Sequence, residues 1–241
     1  FANLRTFFGY MMAHPGKKLL FMGQDFGQFI EWDEKKQLDW MLLSYDKHRE
    51  LQGYVKDLNH FYRDTPALWQ VDYSWEGFQW IVPDDSKQSV IAFLRRDAAG
   101  KMILVVCNFN PVLRKDYQMG VPNPGSYKEI LNSDDKKYGG TGVTNGTVKA
   151  KKGPMHGFDQ HISLTLPPLS TIYLSVPAAR KPKAEKPAVE KAADKPAQAA
   201  KKPAAKKAAK PTAKADAPAA EAKTQAAPKR RGRPPKAKTT V

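Results

Sequence analysis

The chain has 241 residues and a formal net charge of +16, but residues 178–241 hold 19 Lys and Arg against 5 Asp and Glu and so carry +14 of it. Residues 1–177 hold 21 basic against 19 acidic side chains, a near-neutral body that excludes reading the net charge as a basic folded surface. Cys107 is the single cysteine, which excludes an intrachain disulfide and a multi-cysteine metal site, and no apolar run approaches the roughly 18 residues of a membrane span. The expected compartment is a reducing cytoplasm, with no membrane partner.

The chain opens on Phe1, inside a helical pattern with no capping residue before it, and this predicts a truncated sequence. Leu4, Phe7, Phe8, Met11 and Met12 recur at helical spacing, so a helix is expected over residues 2–13, stopped by His14-Pro15-Gly16. Lys18 to Met22 is a short apolar run ending at Gly23 and reads as a strand buried on both faces in a parallel sheet, which implies an α/β domain. The stretch from Gly23 to Leu43 is long for a loop in a compact domain, and its aromatic and acidic residues point to function rather than disorder. Ser44 is the expected N-cap of a helix that carries Leu51, Val55, Leu58 and Phe61 on one face and ends before Pro66. Such a fragment, 1–65, is expected to expose an apolar face.

From Phe78 the pattern changes to short β-type runs: Phe78 to Val82, Ser89 to Arg95, Met102 to Asn108, Tyr127 to Leu131, Thr147 to Lys151, His161 to Leu166 and Thr171 to Val176. Turn signals separate them, among them Asp97 to Gly100, Pro122 to Gly125 and Asn145-Gly146. Seven strands so spaced imply an all-β sandwich. After Pro177 there are no aromatics, and Ala, Pro, Lys and Arg make up 50 of 64 residues. A segment of that kind buries too little apolar surface to offset chain entropy, so residues 178–241 are expected to be disordered.

The run FANLRTFFGYMMAHPGKKLLFMG at Phe1 to Gly23, followed by QDFGQFIEW and by LDWMLL at Leu38 to Leu43, resembles the bacterial 1,4-α-glucan branching enzymes of the α-amylase superfamily. The resemblance continues in SVIAFLRR at Ser89 to Arg96, LVVCNF at Leu104 to Phe109, YGGTGVTNG at Tyr138 to Gly146 and SLTLPPLSTIYL at Ser163 to Leu174. It implies that residues 1–65 are the last helix-strand-helix portion of a (β/α)8 barrel and residues 70–177 a C-terminal all-β domain. The fold class is then α/β plus all-β with a disordered basic tail. The implied activity is transfer of an α-1,4-glucan chain into an α-1,6 branch by a retaining double displacement, with α-glucan as substrate and no cofactor. The family's last catalytic carboxylate lies in a His-Asp-Glu motif that this chain does not contain, so the catalytic residues are expected upstream of Phe1 and the chain alone is expected to be inactive.

The barrel rule puts Asp25 to Gln28 at the catalytic face, and Asp25, Gln28 and Trp32 are the expected substrate contacts. Asp25 either accepts hydrogen bonds from sugar hydroxyls or serves only as a turn residue between Gly23 and Gly27. Trp32 either offers its flat face to a glucose ring or is simply a large core residue; Trp40, leading into the helix, is expected to pack, as are Trp69, Trp75 and Trp80. No two of His14, His48, His60, His156 and His161 have the spacing of metal ligands, so no metal is expected. In the tail, Lys229 to Lys236 looks like an AT-hook whose Arg231-Gly232-Arg233-Pro234 core would lie in the A·T minor groove, the alternative being a solvated cationic run. A second functional reading follows: a non-catalytic protein associated with DNA or another polyanion through its tail.

Overall fold

In a computed structural model that describes residues 1–179, the chain folds as three layers, two helices on one face of a large antiparallel sheet and a small sheet on the other. The helices are α1 (Ala2–Ala13) and α2 (Asp46–Asp64). The strands are β1 (Phe78–Asp85), β2 (Val90–Arg96), β3 (Met102–Asn108), β4 (Arg114–Val121), β5 (Ser126–Asn132), β6 (Thr147–Lys149), β7 (Lys151–Met155), β8 (Phe158–Leu166) and β9 (Ser170–Ser175). The large sheet runs β1-β2-β3-β9-β5-β6 and the small one β4-β8-β7.

The near-continuous apolar runs of β2, β3 and β9 are explained by this layering, because alternate side chains on a strand point to opposite faces and here both faces are covered. Ala92, Leu94, Leu104, Val106, Ile172 and Leu174 meet Met119, Ile162 and Leu164 of the small sheet in one core. Phe93, Ile103, Val105, Cys107 and Tyr173 face the other way, against Phe8 and Met12 of α1 and Leu51, Tyr54 and Leu58 of α2. Each such Leu or Phe contributes on the order of 1.5–3 kcal/mol by leaving water.

Close approach of α1 to the sheet depends on Gly9. A Cβ there would lie 2.7 Å from the Thr171 Cβ and 2.8 Å from the Tyr54 hydroxyl. The gap lets Tyr173 donate its hydroxyl to the Gly9 carbonyl at 2.5 Å and Thr171 donate to the Thr6 carbonyl at 2.9 Å. The C-terminal end of α1 is tied to β2 by Arg95, which is fully buried; its guanidinium donates to Ala13 O at 2.5 Å and Gly77 O at 3.2 Å and pairs with Asp72 at 2.6 Å.

Four expectations are corrected. Lys18 to Met22 is not a strand but a segment without regular structure that turns at Met22: ladder hydrogen bonds need a neighbouring strand, and none runs beside it among the described residues. Ser44 does not cap α2; it closes a 3-10 turn over Trp40–Ser44, and Tyr45 is the capping position. Among the described residues nine strands replace seven, because Arg114–Val121 forms β4 and the run expected over Thr147 to Lys151 divides into β6 and β7, which join different sheets. The apolar face of residues 1–65 is not left open as a whole, since the sheet covers the inner sides of α1 and α2. The expected disorder of residues 178–241 falls, from residue 180 on, outside the described residues.

Candidate functional site

The Gly23–Gln28 loop is built on two left-handed glycines. Gly23 has φ 80° and Gly27 φ 71°, values that favour residues without a Cβ, and between them Gln24–Phe26 makes one 3-10 turn. Gln28 N–H closes the loop onto Gly23 O at 3.0 Å. Phe26 plugs the turn into the interior with no exposed surface, its ring 5.4 Å from that of Trp40. Trp40 therefore packs, although half of it is exposed.

Gln28 acts within the loop. Its amide nitrogen donates to Ile30 O at 3.0 Å and its carbonyl accepts from Asp39 N–H at 2.9 Å, so it braces the start of the loop against its end. Asp25 sits at the other side of the turn. Its Oδ2 accepts from Gln52 Nε2 at 3.3 Å, and it lines a groove of about 580 Å³ with Leu20, Gln52, Val55, Asn59 and His60. Trp32 does not line that groove; it is 39% exposed and stands on the edge of Phe21, ring centres 5.6 Å apart. The fold thus carries Asp25, Gln28 and Trp32 on one loop, with Asp25 in the groove and Gln28 and Trp32 outside its lining.

Two residues of α2 to which the sequence assigns no site role support the loop from below. His48 of α2 donates from Nδ1 to Phe26 O at 2.7 Å, and Gln52, one turn later, holds Asp25. Helical periodicity picks out the apolar residues of α2 and is blind to both, although their i, i+4 spacing places them on one face. Around the loop, Leu19 is 73% exposed and Phe29 75%, with Phe21, Met22, Ile30 and Met41 also exposed.

Among the described residues no group of three or more His, Cys, Asp and Glu could hold a metal ion. Nor is any helix there long and apolar enough to cross a membrane. Burial pushes the Cys107 thiol up to about 12, which makes it a poor nucleophile. Arg231, Gly232, Arg233 and Pro234 lie outside the described residues.

Residues 80–177 match the family described as Alpha amylase, C-terminal all-beta domain. The chain is 58% identical over 176 residues to the 1,4-alpha-glucan branching enzyme GlgB of Aquifex aeolicus, covering 72% of the chain and 28% of that protein. It is 53% identical over 175 residues to the enzyme of the same name from Halothermothrix orenii, with the same two coverages of 72% and 28%. To that of Francisella tularensis subsp. novicida it is 45% identical over 179 residues, 73% of the chain and 28% of the relative. The chain therefore spans little more than a quarter of the length of the curated relatives it matches. Among solved structures, the protein Ttha1563 from Thermus thermophilus matches 72% of this chain and 31% of its own at 18% identity and a TM-score of 0.49, a distant likeness. Over the matched residues the chain is similar to the 1,4-alpha-glucan branching enzymes, and residues 80–177 match the all-β domain of α-amylase relatives.

Proposed function

We propose that this chain supplies one wall of the glucan site and the all-β C-terminal domain of a glycogen branching enzyme, which cuts an α-1,4-linked chain and rejoins it through an α-1,6 bond. The observation that carries the reading is the 58% identity over 176 residues to an enzyme of that name. On this reading residues 1–65 end a (β/α)8 barrel and residues 70–177 are the all-β domain. Exposed Leu19, Phe21 and Met22 on a segment that pairs with no strand among the described residues support it, because a barrel strand has neighbours on both sides and cover on both faces.

In the retaining reaction a carboxylate attacks the anomeric carbon, the glycosidic C–O bond breaks, and a carboxylic acid protonates the departing oxygen. The 6-hydroxyl of an acceptor chain then attacks the same carbon, displaces the carboxylate, and returns its proton to the acid's conjugate base. Neither carboxylate is assigned to this chain. A retaining pair stands about 5 Å apart, and the partner of Asp25 is Gln52 rather than a second carboxyl group. Asp25 instead accepts from sugar hydroxyls, Trp32 offers a flat face to a glucose ring, and Gln28 keeps the loop closed.

Titration of the chain with maltoheptaose, read by calorimetry, tests the assignment. Binding should weaken about tenfold in Asp25→Ala, the scale of one lost hydrogen bond to a charged group, and similarly in Trp32→Ala. Absence of binding, or affinity indifferent to both substitutions, rejects it. The isolated chain should leave the iodine colour of amylose unchanged.

A second reading concerns the tail alone and rests on the concentration of +14 in residues 178–241 around Arg231-Gly232-Arg233-Pro234. These residues bind A·T-rich duplex DNA or another polyanion by releasing counterions, with affinity that falls steeply as salt rises. A gel shift at low salt that persists after deletion of 178–241, or no shift at all, sinks this reading.

A further inference from the structure

We propose that His48 and Gln52 of α2 are positioning residues that set the ligand-facing geometry of the Gly23–Gln28 loop; the identity of the ligand rests on the glucan reading above. His48 is 3% exposed, and its ring is held edge-on by Phe1 at 4.8 Å and Phe29 at 4.9 Å. Its one hydrogen bond among the described residues runs from Nδ1 to the Phe26 carbonyl, 2.7 Å away. A carbonyl only accepts, so Nδ1 carries the proton and the ring's tautomer is set. A polar ring buried among aromatics is costly unless that bond is made. The bond therefore fixes how far the 3-10 turn stands above α2.

Gln52 adds a second point of attachment on the same helical face. Its amide donates to Oδ2 of Asp25 at 3.3 Å, which leaves Oδ1 without a hydrogen bond among the described residues. One carboxylate oxygen is thereby spent on orientation and the other is left for a hydroxyl donor. Neither His48 nor Gln52 is asked to touch the sugar. They act through a backbone carbonyl and a carboxylate, from a helix rooted in the core by Leu51, Tyr54, Val55 and Leu58.

Amide hydrogen exchange on the full chain separates positioning from mere stability. The Gln28 amide, bonded to Gly23 O, and the Asp39 amide, bonded to the Gln28 side chain, report on the loop. Amides of β3 and β9 report on the fold. His48→Leu and Gln52→Leu should each speed loop exchange about tenfold or more while leaving β3 and β9 unchanged. His48→Asn, which returns an N–H donor near the position of Nδ1, should stay within about threefold of the parent. Unchanged loop exchange in both leucine variants overturns the proposal, as does a rise shared equally by β3 and β9. If His48→Leu does not fold, the half-buried Gln52→Leu decides alone. In the maltoheptaose titration Gln52→Leu should weaken binding about tenfold with the sandwich intact. A parent chain that binds no maltoheptaose rejects the glucan reading, while the exchange data still judge the two clasps.

Discussion

Arg95 shows how a single side chain joins parts of the chain far apart in sequence. Its guanidinium reaches the end of α1 and the segment before β1, while its partner Asp72 accepts the Gly16 N–H at 3.0 Å through its second oxygen. Burial pulls the Arg95 pKa down and Asp72 pulls it back up, which means that the charge is tolerated because it is paired. Asp72→Ala should cost about 3–5 kcal/mol in urea denaturation by stranding that charge, and Arg95→Met distinctly less because it removes it. Equal losses would contradict the account. Lys18 gives a pH signature. Its ammonium bonds His14 O and lies over the Tyr62 ring, and burial lowers its pKa from 10.5 to about 8, Asp72 partly opposing. Between pH 8 and 10.5 the unfolded chain holds a proton there that the folded chain has released, so stability rises with pH across that window. Denaturation of Lys18→Met should therefore show its largest gain over the parent below pH 8 and a shrinking one towards pH 10.5; a constant difference would disprove the linkage.

At the scale of elements, the same packing makes two glycines opposite in character. Gly9→Ala drives a methyl into Thr171 and Tyr54 and should cost about 1–3 kcal/mol, lowering the melting temperature by several degrees. Gly53, inside α2, has nothing among the described residues within 4 Å of where a Cβ would lie, so Gly53→Ala should stabilise by about 0.5–1 kcal/mol. Thermal denaturation of both variants checks the pair, and a destabilised Gly53→Ala would contradict the open space beside that residue. Strands with unbroken apolar character, such as Met102–Asn108, were legible from sequence to the residue. β4 was not, because its first half is Arg114-Lys115-Asp116 and a register shift falls between Arg114 and Tyr117, with Asp116 at φ 53°. Only Tyr117, Met119 and Val121 keep the alternation. The division of β6 from β7 depends on which sheet each joins, a tertiary fact with no local signal. The loop at Gly23 was legible through its glycines and aromatics, whereas its supports, His48 and Gln52, were hidden among the polar residues of a helix.

Along the chain, the excess positive charge and the exposed apolar side chains of residues 19–41 fall in different stretches of sequence. Residues 1–177 are nearly neutral and fold around two cores, while the positive charge is concentrated beyond them. The exposed apolar side chains among residues 19–41, by contrast, flank in sequence the Gly23–Gln28 loop proposed above as one wall of a glucan site. On the reading proposed above, a barrel closed around that loop would cover them and bring the catalytic carboxylate pair. The most direct test replaces the matching segment of the Aquifex aeolicus branching enzyme, 58% identical, with residues 1–177 of this chain. The hybrid should lower the iodine colour of amylose and create α-1,6 linkages visible by proton NMR, and Asp25→Ala should weaken that activity. A soluble, folded hybrid that leaves colour and linkages unchanged, beside an active parent enzyme, would contradict the assignment.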